Sequence, residues 1–417
     1  MPSRRSASGF PICCPGESRF RFPDHPLSEV PRMKLPNDTP IAAAITTAIA
    51  ATVITACALP CAARQPKPHM ATNWLAPGHV LNDASYQRWS ADVARSSHGA
   101  LRFEVHSNGS LLPAKSTMQG IRDRVAVVGI VYPGYTPAEF PLNNVINDLV
   151  FVADDDIAAA FAYTELALTH PKLQAEWKKN AGVFGSGYST PVYHFVCGKA
   201  IRKLGDAKGL KIRTAGGAQS EWIKAIGAVP VSVPSPDIYT GIERGSIDCT
   251  LSDPSMLDKG AKLWEVAKSV TLLPMGVVVG ASHVYNPDFW QSLQPAERRI
   301  LLDAMARATA RAQVAYHLSV QAALDGARKR GIELLAPSDD LKASLAAFNK
   351  ASIANLPKAA MAARKIADPS DLIRAYLGLE AKWKGLLEGV DRGDEDAVFK
   401  VLDDNLYRQI DASRFGL

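Results

Sequence analysis

The chain has 417 residues, 47% of them hydrophobic and 21% charged, with a formal net charge of +6. That length exceeds one comfortable core, so two lobes or domains are expected. The mild charge comes with no basic run interleaved with aromatics, which excludes a nucleic-acid-binding surface.

Residues 1–32 are proline-rich and show neither helical nor strand period. Met33-Lys34 then precedes the small-residue apolar run Ile41–Ile54, which ends at Cys61-Ala62-Ala63 before Arg64. This is the layout of an export signal with cleavage after Ala63, and Met33 reads as the true start. The run is too short and threonine-rich for a good membrane span. Arg4-Arg5 lies too far from it for a twin-arginine signal. Ile54-Thr55-Ala56-Cys57 also fits a lipoprotein box, so a lipid anchor through Cys57 stays open. A periplasmic location follows either way. After cleavage only Cys197 and Cys249 remain; an oxidising compartment would permit a bond, but two separate buried thiols are expected.

Ala71–Pro77 reads as a first strand and loop containing Trp74. A helix follows with Tyr86, Trp89 and Val93 on one face, and Leu101, Phe103 and Val105 alternate as a half-buried strand. A short helix over 115–123 leads to the apolar run Val125–Val131, a strand suited to a parallel sheet buried on both faces. Tyr132-Pro133-Gly134-Tyr135 follows it, and both rings are candidates to face a cleft. Asp154-Asp155-Asp156 stands directly before a helix, where carboxylates cap and meet the helix dipole, a better reading than a metal cluster. Val192–Cys197 is a further strand.

Lys208–Asp253 organises the chain. Leu210 and Ile212 alternate with Lys211 and Arg213, and Thr214-Ala215-Gly216-Gly217 turns that strand into a helix carrying Trp222, Ile223 and Ile226. Val229, Val231 and Val233 form the next strand, and Ser235-Pro236-Asp237 starts a second helix. The unit is βαβα with an arginine at the end of its first strand, where open α/β sheets bind ligands. A guanidinium fork matches a carboxylate with two parallel hydrogen bonds. By position alone, a surface arginine in a weak ion pair is the modestly favoured reading.

Lys208-Gly-Leu-Lys-Ile-Arg213, Gly227-Ala228-Val229-Pro230, Tyr239 and Ile247-Asp248 resemble the signature of the substrate-binding proteins of TRAP (tripartite ATP-independent periplasmic) transporters, over about residues 71–387. The resemblance implies an α/β, two-lobed periplasmic-binding-protein-like fold, with a hinge and a long helix spanning both lobes; 295–330 supplies such a helical pattern. It implies that Arg213 clamps a substrate carboxylate, and that TRAP membrane subunits are the partner. It implies no cofactor and no enzymatic activity. The expected layout is 1–63 extra N-terminus and signal peptide, 70–192 plus about 279–315 lobe one, 193–278 plus about 316–387 lobe two, and 388–417 a C-terminal helical extension.

The chain also departs from the family pattern. Arg124 and Val127 stand where a glycine and an aspartate are usual. Tyr193 replaces a second arginine, which favours an aromatic or branched monocarboxylate walled by Tyr193 and Trp222 over a dicarboxylate. Ser252-Asp253 replaces a ligand-contacting asparagine, and Asp253 would accept from a ligand hydroxyl or amine or only cap the next turn. Trp74, Tyr132 and Tyr135 would contact the ligand from lobe one. An enzyme of organic acids and a sensor on the same fold are the alternatives. The sequence holds no Gly-x-Ser-x-Gly elbow, His-Glu-x-x-His pair, phosphate loop or Cys-x-x-Cys to favour the enzyme.

Overall fold

A computed structural model describes residues 67–417; the expected signal segment and Cys57 lie outside the described residues. The described strands, in chain order, are β1 (His69–Thr72), β2 (Phe103–His106), β3 (Val128–Val131), β4 (Val183–Ser189), β5 (His194–Cys197), β6 (Lys211–Arg213), β7 (Val229–Val231), β8 (Cys249–Ser252), β9 (Ser269–Thr271), β10 (Val279–Tyr285) and β11 (Glu333–Leu335). They form two sheets, ordered β2-β1-β3-β10-β4 and β11-β9-β5-β8-β6-β7. β1, β2 and β3 run parallel, as do β6, β7 and β8, while β10 in the first sheet and β5 in the second are antiparallel to their neighbours. Helices cover the sheets and bury β3 and β8 along their whole length, the pattern of an α/β lobe.

β3 begins three residues later than Val125 because Arg124 adopts a left-handed φ of 63° and leaves Val125 on the surface. A glycine would take that conformation without the Cβ cost. The replacement noted in the sequence therefore places a non-glycine residue in glycine's backbone region.

Two short segments carry the chain between the sheets, from β4 to β5 and from β9 to β10, and these crossings pair with each other. Tyr193 donates its N–H to Gly276 O at 2.8 Å, Met275 returns one to Tyr193 O at 3.0 Å, and Thr190 donates to Val278 O at 2.9 Å. Gly276 has φ +64°, and a Cβ there would stand 1.7 Å from the Val150 carbonyl oxygen. Only glycine fits at that hinge.

The third connection is the helix Pro295–Lys329, opened by a first-turn proline and a Gln294–Glu297 capping box. Thirty-five residues reach about 52 Å, enough to pack on β4 and Arg88–Ser96 in lobe one and on the Pro254–Leu257 turn and β11 in lobe two. Within it, buried Arg311 bonds Asp92 at 2.8 Å and Glu395 at 3.2 Å. Gln313 clasps both backbone groups of Ser189 at 3.2 Å, where the first crossing begins.

Two expectations are corrected. Cys197 and Cys249 stand directly opposite each other on antiparallel β5 and β8, with Cα atoms 4.0 Å apart, and form a disulfide in place of two separate thiols. Ser370–Leu386 packs on Asp156–Thr169 of lobe one, with Trp383 edge-on to Phe161 and bonded to Glu165 at 2.8 Å, so residues 370–387 do not belong to lobe two. The final segment also joins lobe one: Glu395–Asn405 lies on the long helix, the Tyr407 hydroxyl donates to Gly185 O at 2.9 Å, and Trp290 donates to Phe415 O at 2.8 Å. The three aspartates act as caps and ion-pair partners. Asp155 accepts from Ala158 N–H at 2.9 Å, Asp154 pairs with Lys384, and Asp156 meets His317.

Candidate functional site

A narrow cavity of about 30 Å³ lies between the lobes. Its floor is Arg213, at the carboxyl end of β6, and its walls include Tyr132, Tyr135, Tyr193, Trp74, Ser252 and Asp253. Seven of the eight residues singled out from the sequence therefore converge. Trp222 is the exception. It is absent from the cavity lining, packs against Phe195 and Phe151, and is fully buried in the hydrophobic core. An aromatic on a helix's apolar stripe satisfies the core first, and here it does no more.

Arg213 is 2% exposed. Its Nε donates to Val233 O at 3.1 Å and its Nη1 to Leu251 O at 3.3 Å, while the Tyr135 and Tyr193 hydroxyls also engage it. Among the described residues no carboxylate lies within ion-pair distance of it. Carbonyls orient the fork without neutralising it, so its charge stays available to an anion.

The aromatic wall is ordered. Tyr135 stands edge-on to both Tyr132 and Trp74, with centroids 4.8 and 5.5 Å away. Burial pushes the Tyr132, Tyr135 and Tyr193 hydroxyls upward, so they stay protonated donors, with Arg213 pulling the other way. The buried Trp74 Nε1 donor has no partner among the described residues, an unspent hydrogen bond at the cavity wall.

Asp253 is 1% exposed and caps the Pro254–Leu257 turn, accepting on Oδ1 from Ser255 N–H at 3.1 Å and from Ser255 Oγ. Burial raises its pKa to about 6, against the pull of those two bonds. Both readings of Asp253 from the sequence, cap and cavity acceptor, are thus compatible with its position.

Tyr188, Thr190, Tyr316 and His79 also line the cavity and were not singled out from the sequence as ligand contacts. Tyr316 sits in the middle of the long helix, where it looks like one more apolar-stripe residue. His79 caps the turn Val80–Asn82 by accepting Leu81 N–H on Nδ1 at 3.1 Å, which leaves its Nε2 facing the Tyr316 hydroxyl at 3.3 Å. Burial lowers its pKa to about 4. No local pattern announces either residue, because each reaches the cavity only through tertiary packing.

Three bonds cross the cleft around Arg213. Tyr132 donates to Ala215 O at 2.9 Å, Ser235 N–H donates to the Tyr135 hydroxyl at 2.8 Å, and Ala218 N–H donates to Asp148 Oδ1 at 3.2 Å. Asp148 also pairs with Arg364. A wider recess beside the C-terminus presents Lys178 and Arg414, both exposed, and no buried charged side chain.

The family model of the bacterial extracellular solute-binding proteins, family 7 (DctP), matches residues 70–358. A solute-binding protein of Albidiferax ferrireducens is 24% identical over 207 residues, 47% of this chain and 58% of that protein. The 2,3-diketo-L-gulonate-binding periplasmic protein YiaO of Escherichia coli is 28% identical over 145 residues, 33% and 42% of the two chains. The chain thus spans about half the length of the curated relatives it matches. Among solved structures, DctP7 of Bordetella pertussis, an extracytoplasmic solute receptor binding pyroglutamic acid, is 23% identical with a TM-score of 0.65, covering 75% of this chain and 99% of that one. A TRAP periplasmic solute-binding protein of Bordetella bronchiseptica with bound (R)- and (S)-mandelate is 22% identical with a TM-score of 0.67, covering 77% and 100%. These likenesses establish the two-lobed fold.

Proposed function

Because this chain belongs to family 7 of the bacterial extracellular solute-binding proteins, we propose that it is the receptor of a TRAP transporter. It captures a small organic acid between its lobes and delivers it to the membrane subunits. The observation that carries this reading is Arg213, buried, oriented by backbone carbonyls and unmatched by any described carboxylate. Trp74, Tyr132, Tyr135, Tyr193, Ser252 and Asp253 complete the binding wall. A carboxylate held by Arg213 of lobe two and touched by Trp74 and the tyrosines of lobe one favours the closed arrangement by its differential affinity. Delivery to a permease, as against an enzymatic fate, rests on family membership.

An extracytoplasmic location agrees with the family. No helix among the described residues is long and apolar enough to cross a membrane, and lipid attachment through Cys57 is tested by mass spectrometry of protein from its host. For the binding function, the test is a thermal-shift screen of purified protein against organic acids. A ligand at a hundredfold excess over its Kd stabilises by about 2.7 kcal/mol. A panel without any stabilising acid, beside sugars or amines that do stabilise, would overturn the reading.

A further inference from the structure

A second hollow, of about 480 Å³, lies on lobe one against the C-terminal segment and shares no lining residue with the interlobe cavity. Its size falls within the roughly 300–1,000 Å³ of small-molecule pockets. Trp177, Phe184, Pro287 and Phe415 give it an apolar lining, into which Lys178 and Arg414 bring two exposed cations. No aspartate or glutamate lines it, and among the described residues neither cation is in an ion pair. Asp411, three residues before Arg414, spends one oxygen on Ser413 N–H at 2.9 Å and on Ser413 Oγ at 2.6 Å.

The wall formed by residues 414–417 is held in place by lobe one. Trp290 donates from Nε1 to Phe415 O at 2.8 Å and stands edge-on to the Phe415 ring. Gly416 takes a left-handed φ of 75°, and a Cβ there would stand 2.6 Å from Trp290 Nε1. This wall lies beyond residues 70–358, the range that the family model matches. Leu417 is 55% exposed, an apolar side chain that the folded chain leaves in water. Such a lining suits a molecule divided in the same way, with hydrocarbon for the rings and an anionic head for the cations. We propose that this hollow is a binding site, separate from the solute cleft, for a soluble amphiphilic organic anion of the medium-chain carboxylate kind. Apolar contact supplies the affinity, and Lys178 and Arg414 select the sign of the head group.

The test is calorimetric titration with decanoate, 1-decanol and decyltrimethylammonium, each below the concentration at which it aggregates. One decanoate binds per chain, roughly threefold or more tighter than the alcohol, the scale of two exposed ion pairs, and the ammonium binds weakest. Lys178→Gln/Arg414→Gln brings decanoate to the level of the alcohol. Ala175→Trp fills the space and weakens every probe by about tenfold or more, and Gln291→Trp does so from another helix. Melting temperatures without ligand stay near wild type, since all of these positions are exposed. Arg213→Ala retains the decanoate site, which separates it from the cleft.

Decanoate binding that is lost in Arg213→Ala and kept in Ala175→Trp and Gln291→Trp would make decanoate a cleft ligand and overturn the proposal. Equal affinities for the three head groups, or no saturable binding, would overturn it as well. A membrane contact would replace it if phosphatidylglycerol vesicles co-sediment with wild type but not with Lys178→Gln/Arg414→Gln, while free decanoate does not bind.

Discussion

Tyr132 of lobe one donates its hydroxyl hydrogen to the carbonyl of Ala215 of lobe two at 2.9 Å, two residues beyond Arg213. The turn that follows Arg213 is thereby tied to the opposite lobe. Tyr132→Phe keeps the ring and removes only that bond, so ligand affinity should fall by about 0.5–1.5 kcal/mol. Small-angle scattering of the liganded variant should show a wider distribution of sizes than wild type. An unchanged affinity and profile would mean that the bond contributes nothing to closure.

Arg213→Ala should weaken the best acid by on the order of 2–5 kcal/mol, since the ligand's charge is left unpaired in a partly dry cleft. Arg213→Lys should lose less, because an ammonium cannot form the planar fork. Melting temperatures without ligand separate a binding role from a structural one. A large loss of stability in both variants would assign Arg213 to the fold, through its bonds to Val233 and Leu251.

Reducing the Cys197–Cys249 disulfide, which closes a loop of 52 residues, should cost about 2–4 kcal/mol of stability. The check is chemical unfolding with and without reductant, and with Cys197→Ser/Cys249→Ser. β8 carries Ser252 and leads into Asp253, so the reduced protein should also bind its acid less tightly. Equal midpoints in both redox states would contradict this.

Gly276→Ala should be among the most damaging single substitutions in the chain. A left-handed φ alone costs about 1–2 kcal/mol, and the Cβ would collide with the Val150 carbonyl. A melting temperature lowered by several degrees is expected. Gly205→Ala, where nothing lies within 4 Å, is the control that should stay near wild type.

The pH dependence of stability has two opposed parts. Asp253 has a folded pKa of about 6, above its usual 3.8, so between those values the folded chain keeps a proton that the unfolded chain has lost. Its favourable contribution is complete below the lower value and vanishes as pH rises through 6. His79 and His283, depressed by burial to about 4 and about 3, act in the other direction. Their contribution is present above 6.5 and is lost on acidification. Asp253→Asn should therefore be more stable than wild type at pH 7.5, by on the order of 1–3 kcal/mol, with the difference fading toward pH 4. Melting curves of both proteins at pH 4.5, 6 and 7.5 check the sign.

That Arg213 lies at the cavity was legible because the signal is local: a short alternating strand, a glycine turn and a family pattern within ten residues. Tyr316 and His79 were not, since one is a helix residue and the other a cap until the lobes bring them together. Trp222 misled for the converse reason, as a core-facing and a cleft-facing aromatic present the same helical spacing. The disulfide depended on strand register, which puts Cys197 opposite Cys249 and which spacing alone does not give. The lobe of residues 370–387 was equally hidden, because an amphipathic helix records that it packs and not on what.

Tyr193 both lines the cavity and exchanges backbone hydrogen bonds with Gly276 and Met275 of the returning crossing. A residue of the cavity wall is thus also a residue of the paired crossings that join the two lobes. Both of those bonds belong to the backbone, so a substitution of the Tyr193 side chain that reshapes the cavity wall leaves the pairing of the two crossings in place.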